Sequence, residues 1–157
     1  MNAYRMKPLA FPWPPFIYAL AVAAAFLLDA WLPLSVAATD VWLARAAGCA
    51  LIAMALTLDI WAMRTLLDCR TTILPNRGSS HLVTTGPYRF TRNPIYLGYT
   101  LTTAGLGLIM LNPWCLITAM IAAGVTHLVA IRREEMHLLS RFGIDFERYC
   151  IRTARWI

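Results

Sequence analysis

The chain runs to 157 residues, of which 59% are hydrophobic and only 14% charged, with a mean hydropathy of +0.58. That length holds one domain, and a soluble domain would carry about a quarter charged residues, so the deficit points to a membrane protein. The net charge of +6 does not indicate nucleic acid, because all but one of the 14 Lys and Arg lie outside the apolar runs or at their ends. These are Arg5, Lys7, Arg64, Arg70, Arg77, Arg89, Arg92, Arg132, Arg133, Arg141, Arg148, Arg152 and Arg155; Arg45 is the exception. Alternate loops facing the cytoplasm produce this distribution under the positive-inside rule.

The first apolar run, Phe16 to Leu34, follows Pro12, Pro14 and Pro15 and closes near Pro33. Asp29 interrupts it, so it reads as a retained helix rather than a signal peptide. The second, Val41 to about Leu67, exceeds what a bilayer requires, and its cytoplasmic end should project or tilt. The third is Ile95 to Leu111 and the fourth Trp114 to Ile131, joined in a tight hairpin by the turn signal Asn112-Pro113. Arg132 to about Phe142 should continue the fourth helix into the interface, because Met136, Leu138, Leu139 and Phe142 recur at helical spacing. Gly143 should stop it, and a short further piece carries Phe146 and Tyr149.

The predicted architecture is therefore all-α: a polytopic protein of about four transmembrane helices plus a C-terminal interfacial amphipathic helix. Residues 1–157 form one membrane-embedded domain, with two helices in 1–67, a cytoplasmic loop in 68–94, and the hairpin and tail in 95–157. Both termini and the loop are expected on the cytoplasmic side of an inner-type membrane. Trp31, Trp42 and Trp114 should mark the outer boundary, and Trp13 and Tyr18 the inner one. Four helices enclosing a lateral opening leave room for a homodimer.

Asp29 and Arg45 come out at similar depth at about 1.5 Å per residue, which predicts that they pair. Asp59 lies about two turns inside the cytoplasmic end of the second helix, where an ionisable group is either functional or a hydrogen-bonded structural residue. Cys49, Cys69, Cys115 and Cys150 lack metal or disulfide spacing, so neither a zinc site nor a disulfide framework is indicated.

Two constellations carry chemistry. In the loop, Asn93-Pro94 starts the third helix, and its free N–H groups with Arg89 and Arg92 beside them suit a carboxylate or phosphate. Tyr88 and Tyr96 can stack on a flat ring. The same residues suit a basic loop that holds lipid headgroups. The second constellation is Arg132-Arg133-Glu134-Glu135, whose paired carboxylates are unusual at a cytoplasmic flank. They serve either a cationic ligand or a solvated ion-pair cluster. His127, Glu134 and Arg141 are spaced seven apart and should share one helix face.

The stretch LVTTGPYRFTRNPIYLG (82–98), the hairpin, and REEMHLLSRFGIDFERYCIRTARWI together resemble the isoprenylcysteine carboxyl methyltransferase family, and are similar also to the phospholipid N-methyltransferases. The resemblance covers about half of the chain, from Leu82 to Ile157. It implies a membrane-embedded methyltransferase whose S-adenosylmethionine is held between the loop and the cytoplasmic ends of the last helices. The implied cofactor residues are Tyr88, Arg92, Asn93, Pro94, Tyr96, Leu97, Gly98, Glu134 and Glu135. Glu135, Arg141 and His127 are implied for catalysis, no metal is expected, and the acceptor is a lipophilic membrane molecule. Asn93 departs from the His usual in carboxyl methyltransferases, which argues against a prenylcysteine substrate. An amine acceptor would need a proton sink, for which Glu135, His127 and Asp59 are the candidates. Two competing functions are a membrane reductase of the sterol-reductase type, using a dinucleotide, and a non-catalytic lipid-binding protein.

Overall fold

A computed structural model describes residues 13–34, 40–69 and 81–157. Residues 1–12, most of the outer connection (35–39) and the first part of the predicted loop (70–80) lie outside the described residues. Among the described residues six α-helices follow in order: α1 (Trp13–Trp31), α2 (Val41–Asp68), α3 (Pro94–Met110), α4 (Pro113–Thr126), α5 (Arg132–Phe142) and α6 (Ile144–Arg152). A 3-10 turn, Gly86–Arg89, precedes α3, and a π-helical turn, His127–Ile131, joins α4 to α5. No β-strand occurs among the described residues.

Three helices are long and apolar enough to cross a membrane: α1, α2, and the continuous rod Pro113–Phe142 formed by α4, the π turn and α5. The fourth apolar helix, α3, has 17 residues, at the lower end of what a span requires. The chain is an integral membrane protein with the all-α, four-helix architecture that the apolar runs predict.

Local chemistry sets the boundaries. Asp40 caps α2 through Oδ1, which accepts from the backbone N–H groups of Trp42 and Leu43 at 3.1 Å each. Pro94 and Pro113 occupy the first turns of α3 and α4, where a missing N–H costs nothing. Asn112 closes the hairpin: its Oδ1 accepts from the Trp114 N–H at 2.9 Å, and its amide donates to the Ala25 carbonyl at 3.3 Å. One residue thus caps α4 and ties the turn to α1. Gly143 adopts φ +52, a conformation that favours glycine, and separates α5 from α6. The helix α1 starts three residues before the apolar run does, because Pro14 and Pro15 are tolerated in a first helical turn.

The packing is that of a membrane bundle. Many of the fully buried residues are small, among them Ala25, Ala55, Ala62 and Ala130, with Ile131 the largest, while Leu20, Trp31, Trp42, Met120 and Ile121 face outward. Lipid is as apolar as leucine, so helices associate by close backbone approach rather than by burying large side chains. At the α2–α3 crossing, a Cβ on Gly48 would sit 2.6 Å from the Gly105 carbonyl oxygen.

Two expectations are corrected. Asp29 and Arg45 form no ion pair: α1 packs on α4 while α2 packs on α3, so residues of equal depth sit on helices with different partners. The Arg45 guanidinium instead lies 5.9 Å over the Trp42 ring. Tyr18 is not an interfacial aromatic. It is 5% exposed, and its hydroxyl shares a 2.6 Å hydrogen bond with Thr100 of α3. At the other boundary the Trp114 indole donates to the Leu32 carbonyl at 2.8 Å, while Trp31 and Trp42 remain exposed.

Candidate functional site

The N-terminus of α3, the start of α5 and the C-terminal tail meet at one end of the bundle. The junction begins with backbone: the Arg92 N–H donates to the Ala154 carbonyl at 3.0 Å, beside a parallel bridge between Thr91 and Ala154. Asn93 is 8% exposed, and its amide donates to the Arg155 carbonyl at 2.9 Å. That amide is therefore turned toward the tail and does not cap α3. With Pro94 at the first position, the early N–H groups of α3 are left without a side-chain cap. Two further bonds pin the preceding turn to α6: the Tyr149 hydroxyl donates to the Tyr88 carbonyl at 2.6 Å, and Thr153 to the Arg89 carbonyl at 3.4 Å.

The two adjacent glutamates have different surroundings. Glu135 is held by both guanidiniums. Arg155 donates from Nε at 2.9 Å to one carboxylate oxygen and from an Nη at 2.6 Å to the other, while Arg92 approaches to 3.2 Å. The side chains of Arg92 and Glu135 are 13% and 16% exposed, so little water competes. Hydrogen bonding to Glu135 holds the Arg155 guanidinium more firmly protonated than usual. Arg92 also donates to the Cys150 sulfur, yet its Nε is buried without a partner. Glu134 receives a single neutral bond, from the Tyr96 hydroxyl at 3.0 Å. One carboxylate is thus compensated by two guanidiniums, while the other has no ion-pair partner among the described residues.

Tyr88 feels the charge of both Glu134 and a third carboxylate, Asp59 of α2. Burial pushes its phenol above the usual range, and Glu134, Tyr149 and Asp59 add to the effect. Burial likewise raises Tyr149, against a lowering by Arg92. Asp59 is 7% exposed and its Oδ1 has no hydrogen-bond partner. It presses on Gly98, where a Cβ would overlap the carboxylate. Gly98 is therefore needed for close approach of α3 to this acid, a reason invisible in the motif itself.

Tyr88, Arg92, Asn93, Pro94, Tyr96, Gly98, Glu134 and Glu135 come together in this way, while Leu97 contributes its N–H to the first α3 turn, donating to the Asn93 carbonyl at 3.0 Å. Arg141 does not join them. It is exposed, and its guanidinium lies 5.9 Å from the ring of its neighbour Phe142. His127 also leaves the face expected to hold Glu134 and Arg141: the π turn at His127–Ile131 breaks the 3.6-residue period between His127 and Glu134, whereas Glu134 and Arg141 lie within the unbroken α5. The charges acting on His127 are those of Arg155, Arg132 and Glu135, and its Nδ1 is buried without a partner. Arg89 and Arg92 separate as well: Arg89 lines, with Arg148, Arg152 and Asp145, a cleft of about 600 Å3 between the loop and α6.

Comparison with known proteins accounts for the fold around this junction: residues 43–145 match the family described as phospholipid methyltransferase. The chain belongs to that family. The matched residues run from α2 to the start of α6. Arg155, Tyr149 and Ala154 lie beyond them, so the tail that neutralises Glu135 is outside the family match. A curated relative is the nickel-cobalt-cadmium resistance protein NccN of Alcaligenes xylosoxydans xylosoxydans, 38% identical over 80 residues, which amount to 51% of this chain. The match spans 37% of that protein's length.

Sequence reasoning missed Arg155 and Tyr149 as parts of the site. Arg155 was one of many basic tail residues and Tyr149 one of several apolar ones. The only local hint was a double Glu needing counter-charges that its own helix does not supply.

Proposed function

We propose that the chain transfers a methyl group from S-adenosylmethionine to an amine in the headgroup of a membrane lipid, at the cytoplasmic face. The observation that carries the reading is the split of the glutamate pair: Glu135 is neutralised by Arg92 and Arg155, while Glu134, beside the uncapped start of α3, has a hydroxyl donor and no cation among the described residues.

The residues present fit such a cofactor. A zwitterion with an extra cationic centre needs both anionic and donor groups. Glu134 would meet the amino group, and the free Nε of Arg92 with the first N–H groups of α3 would meet the carboxylate. Tyr88 and Tyr96 would flank the adenosyl part. When bound, the cofactor supplies a methyl group activated by its sulfonium. The chain's own residues orient the donor against the acceptor and exclude water from the junction. Glu135 acts at one remove: it holds Arg92 and the tail in place, so that the donors keep their aim.

With Glu134 taken up by the amino group, Asp59 favours a basic acceptor over a carboxylate. A prenylcysteine-type acceptor would bring a negative charge toward Asp59, against its field. The lipid would reach the site sideways from the bilayer, and the cofactor from the cytoplasm.

Calorimetric titration of the purified protein with S-adenosylhomocysteine, beside NADPH, tests the reading. Micromolar binding of the first alone is expected, and Glu134→Gln should weaken it at least about tenfold, as loss of a charge-assisted contact does. Binding of NADPH alone would replace the methyl-transfer reading with a reductase.

A further inference from the structure

We infer that Asp59 of α2 is the group that receives the acceptor amine: it pairs with the headgroup ammonium and takes its proton before methylation. The inference rests on the methyl-transfer reading above and adds a catalytic residue from a helix that carries none of the recognised motif.

The geometry supports it in three ways. Asp59 is an acid inside a membrane-spanning helix, about 13 Å from the end of α2 at 1.5 Å per residue. Such a group is normally paired, hydrogen-bonded or functional. A structural acid would have a partner, yet Oδ1 is buried with none, and Asp59 takes part in no ion pair among the described residues. Second, it abuts the backbone of Gly98 and acts on Tyr88 together with Glu134, which puts it in the wall of the same site. Third, its neighbours Ile60 and Trp61, with Phe90 of the loop, are exposed and apolar at this level, a surface suited to acyl chains.

The two other proton sinks considered from the sequence are poorly suited. Glu135 is committed to two guanidiniums. His127 stands in the π turn with its Nδ1 buried, where taking up a proton would bury a new charge. The titratable groups facing Asp59 from the elements packed on α2 are Tyr99 of α3 and Tyr88 of the 3-10 turn, neither of them a cation.

The step balances as follows. The ammonium N–H bond breaks and its proton moves to the Asp59 carboxylate, leaving a lone pair on nitrogen. That pair forms the N–CH3 bond as the S–CH3 bond breaks, and the donor's sulfur becomes a neutral thioether. The methylated ammonium leaves, and the proton passes from Asp59 to water.

The test uses the full chain in detergent with Asp59→Asn, and Asp59→Ser as a second neutral variant. Probes are dihexanoyl-phosphatidylethanolamine, dihexanoyl-phosphatidylglycerol as an amine-free control, and S-adenosylhomocysteine. Both variants should bind S-adenosylhomocysteine within about twofold of wild type and melt at the same temperature or higher, since an unpaired buried charge is removed. Affinity for the ethanolamine lipid should fall at least about tenfold, that for the glycerol lipid should not change, and methyl transfer to the amine should fall at least about 100-fold, as loss of a general base does. Unchanged ethanolamine-lipid binding, a lower melting temperature, or loss of S-adenosylhomocysteine in step would overturn the inference and make Asp59 structural or cofactor-binding. Wild-type protein that binds S-adenosylhomocysteine yet methylates only carboxylates or thiols would also overturn it, leaving methyl transfer intact. Absence of S-adenosylhomocysteine binding by wild type is the separate failure of the underlying reading.

Discussion

Replacing Glu135 by Ala should destabilise the junction of α3, α5 and the tail more than any other single change at the site. The carboxylate accepts two hydrogen bonds from Arg155 and pairs with Arg92 at 3.2 Å, with only 16% of its side chain exposed. Removing one partner of a fully buried ion pair costs about 3–5 kcal/mol, most of it from the charge left behind. Arg92 would be left nearly buried, at 13% exposure, whereas Arg155 at 39% can rehydrate. Discounting for that exposure gives about 2–3 kcal/mol. For a chain of this size the apparent melting temperature should fall by about 5–10 °C. The assay is a thermal melt of detergent-purified protein, run as a double-mutant cycle with Arg155→Met. The coupling between the two positions should be about 1–2 kcal/mol. A melt within about 1 °C of wild type, or strictly additive single effects, would refute the argument that Glu135 is the organising carboxylate.

Gly98→Ala should cost about 1–3 kcal/mol through overlap with Asp59, and Asp59→Ala in the same chain should recover much of it; melting of the single and double variants reads this directly. Asn112→Ala removes the α4 cap and the bond to Ala25, and should lower stability by about 1–2 kcal/mol without altering S-adenosylhomocysteine affinity. Tyr149→Phe deletes the 2.6 Å bond to the Tyr88 carbonyl; loss of about 1 kcal/mol of local stability should show as faster tryptic cleavage at Arg89. Arg141→Ala should leave cofactor binding unchanged, because its guanidinium lies away from the junction; a clear loss would return it to the site.

Much of this protein is legible along one dimension. Apolar runs bounded by Pro, Asn and Gly locate the helices because capping and lipid solvation act on neighbours in sequence. Asn112-Pro113 and Gly143 lie where the chain turns for the same reason. The motif from Gly86 to Gly98 and the double Glu point to the family, and the structure adds why Gly98 must lack a side chain. His127 fell off the face expected for Glu134 and Arg141 because a period of 3.6 assumes an unbroken α-helix, which the π turn interrupts between His127 and Glu134. The Asp29–Arg45 pair failed because depth in a membrane says nothing about which helices are neighbours.

Sequence alone therefore determined the membrane class, the helix limits and the family, each a property of local composition or of an uninterrupted motif. Only the tertiary structure decided which carboxylate is paired with arginines and which is left without a cation. Glu134 and Glu135 are adjacent and chemically alike, and what separates them is the return of Arg155 from 20 residues away. It equally decided that Asp59 faces Gly98 across the α2–α3 crossing. Charge balance in a buried site is a sum over neighbours in space, and those neighbours are chosen by packing.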